Sequence, residues 1–288
     1  MKQGVIIRGR LVTSDDVDLI RSLIDKYFKQ GRTFISRELC RHWNWYQPNG
    51  ALKDMACREL LRRLEKKGFV TLPPSRKKNH QKGRNLTIPP HETHPIEGKL
   101  KTFLPIKLLM VRGSPQETLF NGLIHKYHYL RYCQIVGPSL KYVAFIKAYP
   151  VACLGWGAAA WKVACRDQFI GWSSLVRKKN LSLIINNTRF LILPWVHIPN
   201  LASHLLSQNI KTISRDWQRL YNYQIALLET FVDTKRFEGT SYKAANWIYA
   251  GITKGRGKND RYNQYPVSVK SVFLYPLITK FREVLGHE

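Results

Sequence analysis

The sequence predicts an α+β chain in two parts, on three observations. Apolar residues recur at helical spacing in three stretches between Ser14 and Lys67. From about Lys99 onward, helical stretches alternate with apolar runs of strand length. Between them, Pro89-Pro90-His91-Glu92-Thr93-His94-Pro95 is proline-rich and without periodicity, and reads as a linker. The expected division is a first domain over 1–90, a linker over 91–102 and a second domain over 103–288.

In the first part, Ser14-Asp15-Asp16 caps a helix whose Val17, Ile20, Leu23, Ile24, Tyr27 and Phe28 share one face, and Gly31 stops it. A second helix starts near Ser36 with Leu39 and Cys40 turned inward, and Pro48-Asn49-Gly50 makes a turn. A third helix over 52–67 buries Leu52, Ala56, Leu60, Leu61 and Leu64, and presents Lys53, Arg58, Arg62, Arg63, Lys66 and Lys67 on its other side. A strand over 69–72 and its return over 85–88 then bracket Arg76, Lys77, Lys78, Lys82 and Arg84. Three helices followed by a hairpin with a basic tip is the order of a winged helix-turn-helix, in which the third helix enters a groove of DNA and the wing crosses its backbone. Residues 1–90 hold 20 Lys and Arg against 8 Asp and Glu, a net of +12 that suits phosphate. The competing interpretation is a solvated helix face on a protein-contact module.

The second part offers a strand over 106–111, a helix over 116–127, a strand over 140–148 and a further strand over 151–160 after a tight turn at Tyr149-Pro150. Residues 182–193 keep a strand pattern although Asn186, Asn187 and Arg189 interrupt it, which is costly in a core unless they are hydrogen-bonded or face a ligand. A helix over 199–220 follows, then a strand over 227–233, a short helix over 242–247 capped by Thr240, and a last strand over 270–277. The run Leu227-Leu228-Glu229-Thr230-Phe231-Val232-Asp233 stands out, because a carboxylate inside an apolar strand must find a partner. With Gly255-Arg256-Gly257 downstream, a turn able to bring a cation and bare backbone to an anion, this stretch reads as a site. The alternative is a structural ion pair to Arg236 or Arg256.

Across the chain, 47 Lys and Arg against 19 Asp and Glu give +28, a field that attracts polyanions and makes nucleic acid the expected partner. Ribosomes and anionic membranes are rivals on charge alone, but no uncharged apolar span of 18 residues exists, so no membrane partner is expected. The start of the chain has no signal-peptide core, which gives a cytoplasmic expectation. Five cysteines without a Cys-x-x-Cys pair support neither a disulfide frame nor a zinc ribbon, and read as core thiols.

The succession of strand, helix, hairpin strands, strand, long helix, strand, short helix and closing strands resembles the GNAT acyltransferase fold. That resemblance implies a coenzyme A pyrophosphate held by an (Arg or Gln)-x-x-Gly-x-(Gly or Ala) turn at a helix start. The equivalent stretch here, Leu193-Pro194-Trp195-Val196-His197-Ile198-Pro199-Asn200, lacks those glycines, so ordinary coenzyme A binding is not expected. More narrowly, Tyr127-His128-Tyr129-Leu130, Arg166-Asp167-x-x-Ile170-Gly171-Trp172, Asn186-Asn187-Thr188-Arg189, Asn200-Leu201-Ala202-Ser203, Leu228-Glu229-Thr230-Phe231-Val232-Asp233 and Ala245-Asn246-Trp247 resemble the family of the DruA component of Druantia anti-phage systems, over about residues 100–277. Relatives are associated with phage defence and insertion-sequence transposases. The resemblance implies work on DNA in bacteria, duplex or single-stranded, alongside other defence or transposition proteins.

Three functions follow. In a Mg²⁺-dependent nuclease, Asp167, Glu229 and Asp233, with Asp216, would hold the metal, because clamping an attacked phosphate takes several carboxylates. Arg189 and Arg256 would steady its charge, and Arg177, Lys178 and Lys179 would extend the binding surface. In a non-catalytic DNA-recognition subunit on a degenerate acyltransferase frame, Asn186, Asn187, Arg189 and Asn246 would be structural or would touch DNA. The third is a divergent acyltransferase. His128 serves as a base or as a structural histidine, Asn200 and Trp247 are further candidates, and tryptophans near arginine suit either a core or stacked bases.

Overall fold

The computed structural model describes residues 5–7, 10–47, 50–74, 86, 88–255 and 268–287. The chain forms two compact units, Met1–Arg84 and Asn85–Glu288.

In the first unit, an antiparallel pair β1 (Val5–Ile7) and β2 (Arg10–Val12) leads into α1 (Ser14–Tyr27), α2 (Arg32–His42) and α3 (Asp54–Lys66). The cap of α1 is Thr13 rather than Ser14: its hydroxyl accepts the Asp16 amide (3.2 Å), and the Asp16 carboxylate takes the Thr13 amide (3.0 Å). α2 begins at Arg32, earlier than the expected Ser36, because Gly31 at φ 85° ends one turn and starts the next. Ile20, Ile35, Leu39, Leu60, Leu61 and Leu64 close one core between the three helices. Residues 69–72, expected as a strand, are irregular. Val70 and Leu72 still pack inward, but the Leu72 amide donates to Glu65 (3.1 Å) and the Phe69 carbonyl accepts from Arg21 (3.0 Å), so side chains replace the ladder. The wing residues Arg76, Lys77, Lys78, Lys82 and Arg84, with Asn85 and Thr87 of the return strand, lie outside the described residues.

The second unit runs β3 (Ile96–Glu97), β4 (Lys107–Met110), α4 (Glu117–Tyr127), β5 (Leu140–Ile146), β6 (Tyr149–Ala158), α5 (Ala164–Ile170), α6 (Ser174–Asn180), β7 (Ile184–Ile192), β8 (Val196–His197), α7 (Leu201–Tyr221), β9 (Leu227–Asp233), α8 (Thr240–Ala244), β10 (Ile248–Ile252), β11 (Lys270–Pro276) and α9 (Phe281–Gly286). Seven strands form a mixed sheet in the order β10-β11-β9-β7-β6-β5-β4. Among its described pairs only β7 and β9 are parallel, joined by the α7 crossover that a parallel connection requires. One face packs on α7 and α8 through Leu154, Trp156, Ile185, Leu206, Ile213 and Trp217. On the other, α4 covers one half of the sheet, while α5 and α9 cover the other half through Ile170, Phe281 and Leu285.

Several expectations shift. The hairpin turn falls at Lys147, which takes φ 53°, so Tyr149 and Pro150 join β6. α5, α6, β10 and α9 had no sequence assignment. The short helix is capped by Gly239 at φ 74°, not Thr240, and ends at Ala244. The proline-rich linker is not free in solvent, since the His91 ring lies 5.6 Å from Trp195. Cys40, Cys57 and Cys153 are buried free thiols, whereas Cys133 is exposed and Cys165 partly so. No helix of the described residues is long and apolar enough to cross a membrane.

Two glycines separate backbone strain from crowding. Gly171 at φ 84° has nothing within 4 Å of an added Cβ, whereas at Gly239 that atom would lie 2.6 Å from the buried Phe273 ring. Gly171→Ala is expected to cost about 1 kcal/mol from the left-handed conformation alone. Gly239→Ala adds overpacking and is expected to cost roughly 2–5 kcal/mol. Chemical denaturation of both variants checks the difference.

Candidate functional site

Alternation along β9 sends Leu228 and Val232 toward α7 and leaves Leu227, Glu229 and Phe231 facing α5 and α9. Glu229 is fully buried there, and its partner among the described residues is Arg166 of α5, also 0% exposed, rather than Arg236. Arg166 Nη1 donates to Glu229 Oε2 (2.8 Å) and to the Ala160 carbonyl (2.7 Å), while the Ala160 amide donates to Glu229 Oε1 (2.7 Å). The same guanidinium donates through Nη2 (2.7 Å) and Nε (3.0 Å) to Asp167 Oδ1. Asp167 also receives Trp172 Nε1 (3.1 Å) and Arg177 Nη1 (3.2 Å). Burial opposes the charge on Arg166, but Glu229 and Asp167 outweigh it and raise its pKa. Burial pushes the Glu229 carboxyl up; a guanidinium and an amide both donate to it, and we take the pair as ionised.

This arrangement does not fit Mg²⁺. Arg166 occupies the place between Asp167 and Glu229 that a cation would take. Asp233 lies four residues along the strand, roughly 13 Å from Glu229 at the usual rise. Asp216 is on α7 and accepts the Tyr142 hydroxyl (2.9 Å). Among the described residues no group of three or more His, Cys, Asp or Glu is placed to hold a metal ion.

A second locus lies where β7 and β9 part. Their register ends at Asn187↔Thr230, although β9 continues on β11 to Asp233 and β7 on β6 to Ile192. Asn187 seals the fork. Its amide donates to the carbonyls of Gly155 (3.1 Å) and Arg189 (3.3 Å), and its Oδ1 accepts the Tyr242 hydroxyl (2.6 Å). Above it, half-buried Arg189 donates Nε to the Arg131 carbonyl (3.1 Å) and Nη1 to the Thr188 carbonyl (2.6 Å), pinning the loop that follows α4. That loop carries His128, whose Nδ1 accepts the Leu130 amide (3.1 Å) and whose pKa burial, Arg189 and Arg236 lower to about 4. The ring of Tyr129 stacks on His128 (4.8 Å), meets Phe237 (5.7 Å) and lies 4.6 Å from Arg236 Cζ. Burial and then Asp233 raise the Tyr129 pKa. Three motifs far apart in sequence thus converge, at 128–131, 186–189 and 233–237.

The other candidates are placed as follows. Asn186 stands in register beside Glu229, with its Oδ1 buried and unpartnered among the described residues. Asn200 and Asn246 adopt positive φ (64° and 61°), and Trp247 packs 6.3 Å from Trp156 in the core. Arg177 is drawn inward by Asp167, while Lys178 and Lys179 are exposed. On α3, Arg58 pairs with Asp54, and both Arg62 and Arg63 pair with Glu59; Lys66 is exposed and Lys53 half-buried. Arg256 lies outside the described residues. Tyr129 and Phe237 were missed as site residues, and their adjacency to His128 and Arg236 was the one signal available. A cavity of about 260 Å³ between Ile192, Asn200, Leu201, Thr240 and Ser241 lies beside the stretch compared above with a pyrophosphate turn. That stretch contains Pro194 and Pro199, without amide hydrogens, and the Val196 and Leu201 amides are taken by Leu193 and Ile198, so it does not fit pyrophosphate as a glycine turn does.

A family model described as "Druantia protein DruA" matches residues 63–270. No curated protein matches the sequence. Similar solved structures include an N-acetyltransferase from Staphylococcus aureus Mu50, 13% identical, covering 60% of this chain and 97% of that one with a TM-score of 0.36. An acetyltransferase from Bacillus subtilis in complex with CoA is 7% identical, covering 60% and 99% with a TM-score of 0.39. The ribosomal-protein-S18-alanine N-acetyltransferase from Escherichia coli is 9% identical, covering 60% and 94% with a TM-score of 0.36. These are likenesses of chain path and carry no chemistry.

Two outcomes are expected. Glu229→Leu leaves the buried guanidinium on Asp167 alone and the Ala160 amide without its acceptor, and should cost about 3–5 kcal/mol, whereas Glu229→Leu combined with Arg166→Met should recover part of that loss. Denaturant titration of the single and double variants measures the coupling, and strict additivity would contradict it. His128 resists a proton that the unfolded chain accepts, so stability should fall as pH drops from about 6.5 toward 4. His128→Gln should flatten that part of the Tm-against-pH curve.

Proposed function

The chain belongs to the DruA family, and from that premise we propose that it serves a bacterial anti-phage defence system as a DNA-binding component. The supporting observation is the excess of positive charge that remains after the buried pairs are counted. Residues 85–288 hold 27 Lys and Arg against 11 Asp and Glu, a net of +16. Of those acids, Glu117 binds Lys141, Asp167 binds Arg166 and Arg177, Glu229 binds Arg166, and Asp216 accepts Tyr142. With these four acids and their cations Lys141, Arg166 and Arg177 set aside, 24 Lys and Arg remain against 7 Asp and Glu, so the buried pairs leave the excess of positive charge in place. A phosphate backbone answers that excess by releasing its counterions, which supplies affinity without reading sequence.

Holding DNA fits this geometry better than cutting it. Two of the carboxylates that a Mg²⁺-dependent nuclease would use, Glu229 and Asp167, are already neutralised by arginine, and the arginines of α3 are partly offset by Asp54 and Glu59. Positioning contacts spread over both units are therefore favoured over a single reactive centre.

The test is fluorescence anisotropy of the full chain with labelled duplex and single-stranded oligonucleotides. Binding in low salt should weaken by about 10³-fold or more between 50 and 200 mM salt, as expected for six or more phosphate contacts. Failure to bind either form at low salt, or binding indifferent to salt, would overturn the proposal.

A further inference from the structure

Resting on the DNA-binding reading, we infer that the ladder of His128, Tyr129, Arg236 and Phe237 beside the fork of β7 and β9 takes an unpaired nucleobase of a single strand, stacked on the exposed ring of Phe237. Single exposed aromatics are ordinary on protein surfaces, so exposure alone means little. What distinguishes these side chains is their order. His128 is buried and locked by the Leu130 amide, Tyr129 stacks on it, and Arg236 lies over Tyr129 with its Cζ 5.9 Å from the Phe237 ring. Phe237 ends the series with 51% of its surface exposed, and Tyr129 retains 38%. Two segments more than a hundred residues apart build this ladder, and neither buries its outer ring.

The support is rigid. The amides of Arg236 (3.0 Å) and Phe237 (2.9 Å) both donate to the Asp233 carbonyl, and the Asp233 carboxylate takes the Lys235 amide (3.2 Å). Arg189 fastens the opposite wall to the Arg131 carbonyl. Little conformational entropy is then lost when a planar ligand lands on Phe237. The rim carries Arg131, Lys235 and Arg236 in exposed positions, with half-buried Arg189, against exposed Glu238 and half-buried Asp233, so a phosphate beside the stacked base meets net positive charge. A nucleotide offers two apolar base faces and an anionic linkage, and base stacking on an aromatic ring is tolerant of sequence. Duplex bases keep their faces covered, so the ladder favours a separated strand, DNA or RNA.

The test compares the wild-type chain with Phe237→Ala, Tyr129→Ala and Phe237→Trp against a single-stranded DNA, the same sequence as RNA, and its DNA duplex, each carrying one 2-aminopurine. Both alanine variants should weaken single-strand binding by about 5-fold or more, and Phe237→Trp should retain it. Stacking should quench 2-aminopurine in the wild-type complex, in whichever of the two strands binds, and the duplex affinity should not change. If the wild type binds strands but the alanine variants bind them equally well and quench equally, the ladder is not the site, while the charge-based function stands. If the wild type binds neither strand nor duplex, the DNA-binding reading itself fails, and this inference with it.

Discussion

A buried ion pair is the constraint on which the second unit depends. Placing Glu229 in the middle of a central strand puts a carboxylate where nothing but protein can answer it, and desolvation would make that untenable without a strong donor. Arg166 answers it and is itself too buried to stand on one carboxylate, so Asp167 and then Arg177 are drawn in. Each member needs the next. The network therefore fixes where α5 sits on the sheet, and by coupling to Trp172 and Arg177 it fixes the turn into α6 as well.

The second constraint is the only parallel neighbour pair among the described strands of the large sheet. β7 and β9 run together for four residues and then separate, each still held on its outer side by an antiparallel partner. A fork in a sheet exposes backbone groups that must be met. Thr230 of β9 donates its hydroxyl across the opening to the Asn187 carbonyl, Tyr242 donates to Asn187 Oδ1, and the Asn187 side-chain amide ties the Arg189 carbonyl of β7 to the Gly155 carbonyl at the β6–β7 bulge. The polar residues that looked out of place in the sequence are thus what allows the sheet to open, and the opening brings His128, Tyr129, Arg189 and Arg236 together.

Much of the fold was legible because it rests on periodicity. The bounds of β9 coincide with its apolar run, and α3, α4 and α7 lie within two residues of their expected limits. β10 escaped notice because it is an edge strand with Ile248, Tyr249 and Ile252 exposed, so no buried face imposed alternation. The strand expected at 69–72 failed for a different reason: side-chain partners at Glu65 and Arg21 satisfied its backbone locally. For the site, the sequence identified Glu229 as a carboxylate in need of a cation but could not say which one. Arg236 and Arg256 are near in the chain, whereas Arg166, 63 positions away, is near only after the sheet has formed. Phe237 gave no pattern at all, since an exposed ring has no periodic neighbours.

One detail of connectivity carries a wider implication. β6 and β7 are antiparallel neighbours, which a two-residue turn could join, yet residues 159–183 leave the sheet between them to form α5 and α6. That detour delivers the only cation paired with Glu229 among the described residues. Any descendant that shortened it would inherit an acid it could not solvate, and any descendant that lost the acid would leave a buried guanidinium with Asp167 as its one carboxylate among the described residues. Loop and strand position are therefore bound into a single heritable unit, and their histories should rise and fall together.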